Sequence, residues 1–98
     1  LVTLPYTLEL NDIPMMLVQH HESDYLLKRT IDQFDRLYAE SETRAKVCAI
    51  AIHPYISGQP HRIKYLEQIY DYVSRFDGVL HWNGEQMLDW YKGIAKGK

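Results

Sequence analysis

The chain has 98 residues, of which 46% are hydrophobic and 24% charged, a mixture typical of one ordinary globular domain. The formal charge of -2 gives no basic surplus, and no long apolar run occurs, so we expect neither a nucleic-acid nor a membrane partner. Cys48 is the single cysteine, which excludes an internal disulfide and suits a reducing compartment, so the expected location is cytoplasmic.

The first half of the chain predicts a strand, a loop and a helix. Residues 1–7 mix apolar and β-branched side chains, which favours a short strand that leads into a loop reaching about Glu22. Ser23 is a candidate N-cap for the helix that follows. The apolar positions of this helix fall at helical spacing and are Leu27, Ile31, Phe34 and Tyr38.

The second half predicts two more strands and two more helices. Within residues 45–55, the continuous apolar run from Val47 to Ile52 is typical of a parallel strand covered on both faces, and Pro54 ends it. Residues 79–82 predict a third strand, after which Asn83 caps the last helix. The helix between these strands has a buried stripe formed by Leu66, Ile69, Val73 and Phe76.

This order of elements predicts an α/β fold, a parallel β-α-β-α-β-α segment in one domain over residues 1–98. Three strands are too few to close a barrel. Open strand edges and apolar faces need a cover, so we expect homo-oligomerisation or association with a missing N-terminal part.

His53 is the strongest candidate for a catalytic residue. It follows the apolar run at the C-terminal end of a predicted strand, where active sites of parallel α/β folds collect. An imidazole at that position is suited to proton transfer near neutral pH. A hydrogen-bonded histidine packed at a strand end accounts for the same pattern equally well.

The loop from Tyr6 to Asp12 leaves the first predicted strand at the same rim. Asn11 and Asp12 are candidates for substrate binding or for orienting His53, because a carboxylate fixes the tautomer of its imidazole partner. Asn-Asp pairs also simply form turns. The adjacent His20 and His21 do not predict a metal site, because neighbouring side chains rarely face one ion.

Several further side chains fit either a packing role or a binding role. His61, Arg62 and His81 are more typical of surface or packing positions than of ligands. Another group of aromatic residues fits a sugar-binding cleft, although its helical spacing favours core or subunit contacts. These residues are Tyr65, Tyr70, Tyr72, Trp82, Trp90 and Tyr91.

Three segments resemble a known family: residues 4–12 (LPYTLELND), 34–40 (FDRLYAE) and 49–62 (AIAIHPYISGQPHR). In order and spacing they are similar to the C-terminal third of polysaccharide deacetylase (NodB-homology) proteins. Within that family the chain looks most like the branch with the metal-independent allantoinases and the cytoplasmic peptidoglycan-deacetylase-like proteins. The resemblance implies the C-terminal part of a deformed (β/α) barrel of NodB type and a hydrolase acting on an amide-type C–N bond.

The resemblance also implies roles for individual residues. His53 matches the late histidine that protonates the leaving nitrogen, and Asn11 and Asp12 match the rim motif before it. With Tyr6 and Tyr55 they form the predicted binding site for a small-molecule or sugar amide substrate. Pro54-Tyr55 stands where sugar deacetylases often have an acidic residue, which favours the allantoinase-like branch.

Other parts of the family's machinery have no counterpart in these 98 residues: the Asp base, the metal-binding Asp and two His, and the arginine motif. We therefore expect no cofactor or metal in this chain, a divalent metal such as zinc only in a full-length protein, and no activity for the chain alone. The alternative function is a non-catalytic truncated paralogue that acts as a structural or oligomerisation module. A third is a sugar-binding module built on the tyrosines.

Overall fold

The structure, a computed structural model, describes residues 3–4 and 6–96 and is dominated by helices. A π-helical segment, Ile13–Val18, comes first. Three α-helices follow: α1 (Tyr25–Glu40), α2 (Ile63–Val73) and α3 (Gly84–Lys96). Helices α1 and α2 pack against each other. Among the described residues, none of the helices has both the length and the apolar character needed to cross a membrane.

Helix α1 forms where the apolar spacing predicts it. Its buried residues, Leu26, Thr30 and Phe34, are four positions apart and therefore lie on one face. The helix begins at Tyr25 after Asp24, whose side chain makes no capping hydrogen bond. The first predicted helix is confirmed, but its N-cap position is Asp24 and not Ser23.

Helix α2 is also confirmed, although it ends at Val73 and so excludes Phe76 from its predicted stripe. The Phe76 ring still packs beside α1, with its centroid 5.0 Å from that of Phe34 and 4.9 Å from that of Tyr38. These edge-to-face contacts join the C-terminal ends of the two helices.

Helix α3 begins at the predicted cap. The backbone N–H of Gln86 donates to Oδ1 of Asn83 at 2.9 Å, and the Asn83 N–H donates to Oε1 of Gln86 at 2.8 Å. This reciprocal pair satisfies two backbone donors at the start of the helix.

The predicted α/β fold is wrong. Across residues 3–4 and 6–96 the chain forms no sheet, and parallel pairing is limited to one bridge between Asn11 and Ala51. In this bridge the Ala51 N–H donates to the Leu10 carbonyl at 2.8 Å, and the Asp12 N–H donates to the Ala51 carbonyl at 3.2 Å. The β-α-β-α-β-α segment and the deformed barrel of NodB type are therefore both corrected to a helical arrangement.

The apolar run from Val47 to Ile52 shows the physical reason for this correction. Such a run favours a strand when neighbouring strands provide a hydrogen-bonding ladder and other elements cover both faces. Here one bridge replaces the ladder, and the side chains of Val47 and Ile52 remain 48% and 39% exposed. The apolar pattern therefore indicates a tendency to form a strand, but the rest of the described chain supplies neither the neighbouring strands nor the cover that a buried strand needs.

The other two predicted strands are not formed either. Residues 79–82 are irregular, and Leu80 is 64% exposed. Residues 3, 4, 6 and 7 are not part of a strand, whereas Leu1, Val2 and Pro5 of the first predicted strand lie outside the described residues.

The core lies between the π-helical segment, the start of α1, α2 and the turn after His53. Its buried cluster consists of Met15, Met16, Leu26, Ile56 and Ile69. Ile56, at 1% exposure, belongs to the turn that follows the irregular apolar run. This turn is therefore anchored in the core through Ile56.

Candidate active site

The candidate site is centred on a contact between Asp12 and His53. Nδ1 of the imidazole lies 2.7 Å from Oδ1 of the carboxylate, and the backbone N–H of His53 donates to Oδ2 at 2.7 Å. The Asp12 side chain has no exposed surface, whereas the His53 side chain is 31% exposed. A buried carboxylate thus holds a ring that reaches solvent.

The parallel bridge explains how two loop residues meet in this way. It pairs Asn11 with Ala51 in parallel, so Asp12, which follows Asn11, lies beside the residues that follow Ala51. Asp12 and His53 are therefore brought together by backbone pairing as well as by their side chains.

Ser57 is a third member of the site. Its hydroxyl donates to Oδ2 of Asp12 at 2.7 Å, and the residue is 2% exposed. The N–H groups of Ile56 and Ser57 donate to the His53 carbonyl at 2.9 and 3.0 Å, which folds the chain back on itself. Ser57 is not singled out in the sequence analysis. The available signal was a hydroxyl four positions after a candidate catalytic histidine.

The electrostatics of the site follow from the three hydrogen bonds to Asp12. Burial raises the pKa of this carboxyl, but the hydrogen bonds from the His53 ring, the His53 backbone and the Ser57 hydroxyl outweigh burial and hold the pKa below its ordinary value. Asp12 is therefore ionised at neutral pH. An ionised carboxylate only accepts hydrogen bonds, so the proton between Asp12 and His53 belongs on Nδ1.

The other predicted site residues, Tyr55 and Asn11, lie in different surroundings. The Tyr55 ring is exposed and lies edge-on to the His53 ring, with centroids 5.9 Å apart. Asn11 is buried, and its side chain bonds to backbone: Oδ1 accepts from the Ile13 N–H at 3.2 Å, and Nδ2 donates to the Thr7 carbonyl at 3.4 Å. Its described hydrogen bonds therefore hold the loop beside Asp12.

Tyr6 lies apart from the other four residues. It is 77% exposed and lines a cavity of about 160 Å³ that does not include His53 among its described lining residues. The structure therefore brings Asp12, His53 and Tyr55 together, with Asn11 behind Asp12, and leaves Tyr6 outside this group.

Potential metal ligands are dispersed in the described part of the chain, where no group of three or more His, Cys, Asp or Glu side chains is arranged to hold an ion. His21 stacks on the Tyr25 ring with centroids 3.9 Å apart, and its neighbour His20 has a positive φ of 57°. His61 and His81 are exposed.

A larger open groove lies between the helices. Its volume is about 1150 Å³, and its walls come from α1, α2, residues 45–50 and residues 78–91. Four members of the predicted aromatic group line it: Tyr70, Trp82, Trp90 and Tyr91. We call this feature the interhelical groove.

Comparison with known proteins gives one informative similarity. A protein of Schizosaccharomyces pombe (strain 972 / ATCC 24843), named "Putative polysaccharide deacetylase", is 32% identical to the chain over 81 residues. This match covers 81% of the chain and 25% of the relative, so the chain spans about a quarter of the length of that protein. No family model and no solved structure matches the chain.

The similarity supports a relationship to the polysaccharide deacetylases, a class of hydrolases. It agrees with the resemblance carried by residues 4–12, 34–40 and 49–62. It does not separate the allantoinase-like branch from the rest of the family.

Proposed function

We propose that this chain contributes the general acid, His53, to a deacetylase-like or allantoinase-like hydrolase of non-peptide C–N bonds. The observation that carries the proposal is the 2.7 Å contact between Nδ1 of the exposed ring and a fully buried, ionised carboxylate. The similarity to a polysaccharide deacetylase supports the reaction class.

The proposed step is protonation of the leaving nitrogen. Water attacks the amide carbon and gives a tetrahedral intermediate, which collapses as the C–N bond breaks and the carbonyl re-forms. The nitrogen takes the bonding electron pair and needs a proton, which protonated His53 donates from Nε2. The ring becomes neutral, and the products are an amine and a carboxylic acid. The base that activates water would come from outside these residues.

Asp12 performs the orienting role in this proposal. Its carboxylate accepts from Nδ1, which leaves Nε2 as the nitrogen that can face a substrate. Because Asp12 has no exposed surface, it acts through His53 and has no described surface for substrate contact. A fixed ring keeps the acid aligned with the leaving nitrogen, and such alignment contributes to rate.

Tyr55 is the substrate-contacting residue that the geometry favours. It is 59% exposed and lies beside the imidazole, so a substrate whose nitrogen reaches His53 would meet the Tyr55 ring. An aromatic face suits either the planar ring of an allantoin-like amide or the apolar face of an N-acetylated sugar. Asn11 supports the loop, and any zinc or similar ion would be held by other residues of a full-length protein.

The test of this function is hydrolysis by the complete polypeptide that carries this chain. Allantoin and N-acetylglucosamine oligomers are the two substrates to compare. His53→Ala should lower kcat by about 100-fold or more, the range that general acids supply. His81→Ala removes an exposed histidine and is the matched control, expected to keep the activity. Unchanged hydrolysis in a folded His53→Ala protein would exclude His53 as the acid.

The alternative function is assembly without catalysis, in which a second copy of the chain covers the interhelical groove. The exposed apolar residues Leu80, Trp90 and Tyr91 along this groove favour it. Light scattering of the purified chain at several concentrations tests it. A stable dimer supports this function if Trp90→Glu dissociates it, and a monomer at all concentrations rejects it.

A further inference from the structure

The Asp12 carboxylate is held at both of its oxygens. Oδ1 lies against Nδ1 of His53, while Oδ2 accepts two hydrogen bonds, from the His53 N–H and from the Ser57 hydroxyl, each at 2.7 Å. The His53 N–H would remain without Ser57. This N–H belongs to the same residue as the ring. Among the described hydrogen bonds, the Ser57 hydroxyl is therefore the only donor to Oδ2 that comes from a residue other than His53.

We propose that Ser57 is a positioning residue that holds Oδ2 of Asp12, so that Oδ1 stays on Nδ1 of His53 and the ring keeps a single tautomer. This proposal rests on the proposed role of His53 and adds the side chain that keeps the acid aligned. Ser57 is only 2% exposed and its hydroxyl donates to Asp12, so in this proposal it acts through Asp12.

The turn that carries Ser57 is built for a close return of the chain. A Cβ atom placed on Gly58 would lie 2.5 Å from the Pro54 carbonyl oxygen, closer than real contacts allow, and a tight 3.1 Å from Pro54 Cα. Glycine at position 58 therefore permits the tight turn from His53 to Ser57. Ile56, buried in the core, anchors the middle of this turn.

The chemistry of a hydroxyl fits this position. The buried Ser57 hydroxyl lies against Oδ2 of the Asp12 carboxylate. A hydrogen bond to an ionised acceptor is about twice as strong as one between neutral groups. Without the Ser57 donor, the carboxylate can rotate about its Cβ–Cγ bond, and the Nδ1 contact loses its fixed geometry. The imidazole would then exchange between its two neutral tautomers.

The test is nitrogen-15 NMR of the histidine rings in the folded chain, without substrate, at a basic pH above which the His53 signals no longer change. The chain has five histidines, and the signals missing from a His53→Gln variant are those of His53. In the unaltered chain we expect the His53 signals of one tautomer, with the proton on Nδ1. In Ser57→Ala we expect both His53 nitrogens to shift towards the averaged values of a tautomer mixture.

Two further variants control this measurement. Ser74, just after α2, donates its hydroxyl to the carbonyl of Tyr70 in the helix. Ser74→Ala removes this hydroxyl and should leave the His53 signals unchanged. Ser57→Thr keeps the donor and should restore the single tautomer. If Ser57→Ala fails to fold by circular dichroism, Ser57→Cys replaces it, because a thiol is a weak donor of similar size.

The outcomes separate this proposal from the proposed function. Wild-type His53 signals in folded Ser57→Ala or Ser57→Cys would overturn the positioning role, even if His53→Ala abolished hydrolysis. In the complete enzyme, Ser57→Ala should lower kcat about tenfold with KM little changed, because one aligning hydrogen bond is lost. A tautomer mixture together with an unaffected His53→Ala enzyme would confirm the role of Ser57 and reject the function of His53.

Discussion

Replacing Asp12 by asparagine tests the electrostatic design of the site most directly. The amide has nearly the same shape as the carboxylate, so packing is preserved while the charge is removed. Its oxygen can still accept from the His53 N–H and the Ser57 hydroxyl. Its NH₂ group then faces Nδ1, which has to become an acceptor and move its proton to Nε2. The ring adopts the other neutral tautomer.

The expected loss of stability follows from the three hydrogen bonds of Asp12. A bond to a charged group contributes about 1.5–3 kcal/mol, and a neutral one about 0.5–1.5 kcal/mol. If each of the three bonds loses about 1 kcal/mol, Asp12→Asn lowers the free energy of unfolding by about 3 kcal/mol at pH 7. That is a large part of the 5–15 kcal/mol or so that is typical of a whole domain.

The pH dependence of this loss has a defined sign. The folded-state pKa of Asp12 lies below its ordinary value of 3.8, so its contribution to stability is complete at pH values above that ordinary value. The contribution is lost as the pH falls below 3.8 towards the lower pKa of the folded state. Asparagine does not titrate. The stability difference between the two proteins should therefore shrink in acid.

Urea unfolding followed by circular dichroism, at pH 7 and at about pH 3, measures both effects. Asp71→Asn alters an exposed carboxylate on α2 and should change stability by less than about 0.5 kcal/mol. Equal stability of Asp12→Asn and the unaltered chain at pH 7 would refute the assignment of Asp12 as an ionised anchor. So would a difference that stays constant between the two pH values.

Three other substitutions test local packing, at Thr30, Gly58 and Gly93. Thr30→Val should raise the free energy of unfolding by about 1 kcal/mol, because Oγ1 of Thr30 is buried without a hydrogen-bond partner among the described residues; a destabilised variant in the same urea assay would contradict this. Gly58→Ala should lower stability by about 1–3 kcal/mol, because its Cβ meets the Pro54 carbonyl oxygen. Gly93→Ala, in an open position of α3, should raise stability by about 0.5–1 kcal/mol, and equal effects of the two glycine variants would reject the close contact at Gly58.

The helices were predictable because their signals are local. The three- and four-residue spacing of apolar side chains predicts α1, and Asn83 with Gln86 forms a cap from residues three positions apart. The strands were not predictable, because a strand needs partners that no local pattern specifies. The run from Val47 to Ile52 has the composition of a buried strand, yet the described chain gives it one bridge.

In the candidate site, too, some features could be predicted from the sequence and others could not. The sequence offers Asp12 as a candidate either for substrate binding or for orienting His53. The structure places Asp12 in contact with His53, although the sheet on which the prediction rests is absent. Ser57 was missed because its role depends on a turn geometry set by Gly58 and Ile56. Asn11 bonds to backbone and Tyr6 lies elsewhere, so residue type alone did not identify their surroundings.

The contact between Asp12 and His53 joins positions 41 residues apart in the chain. Closing a loop of this length costs about 3 kcal/mol or more of chain entropy, a cost that helices, made of local contacts, do not share. A partly unfolded chain can therefore keep its helices and still lack the paired carboxylate and imidazole. The Asp12–His53 contact is for this reason a property of the fully closed chain, and helical content alone is a poor measure of the fraction of molecules that possess it.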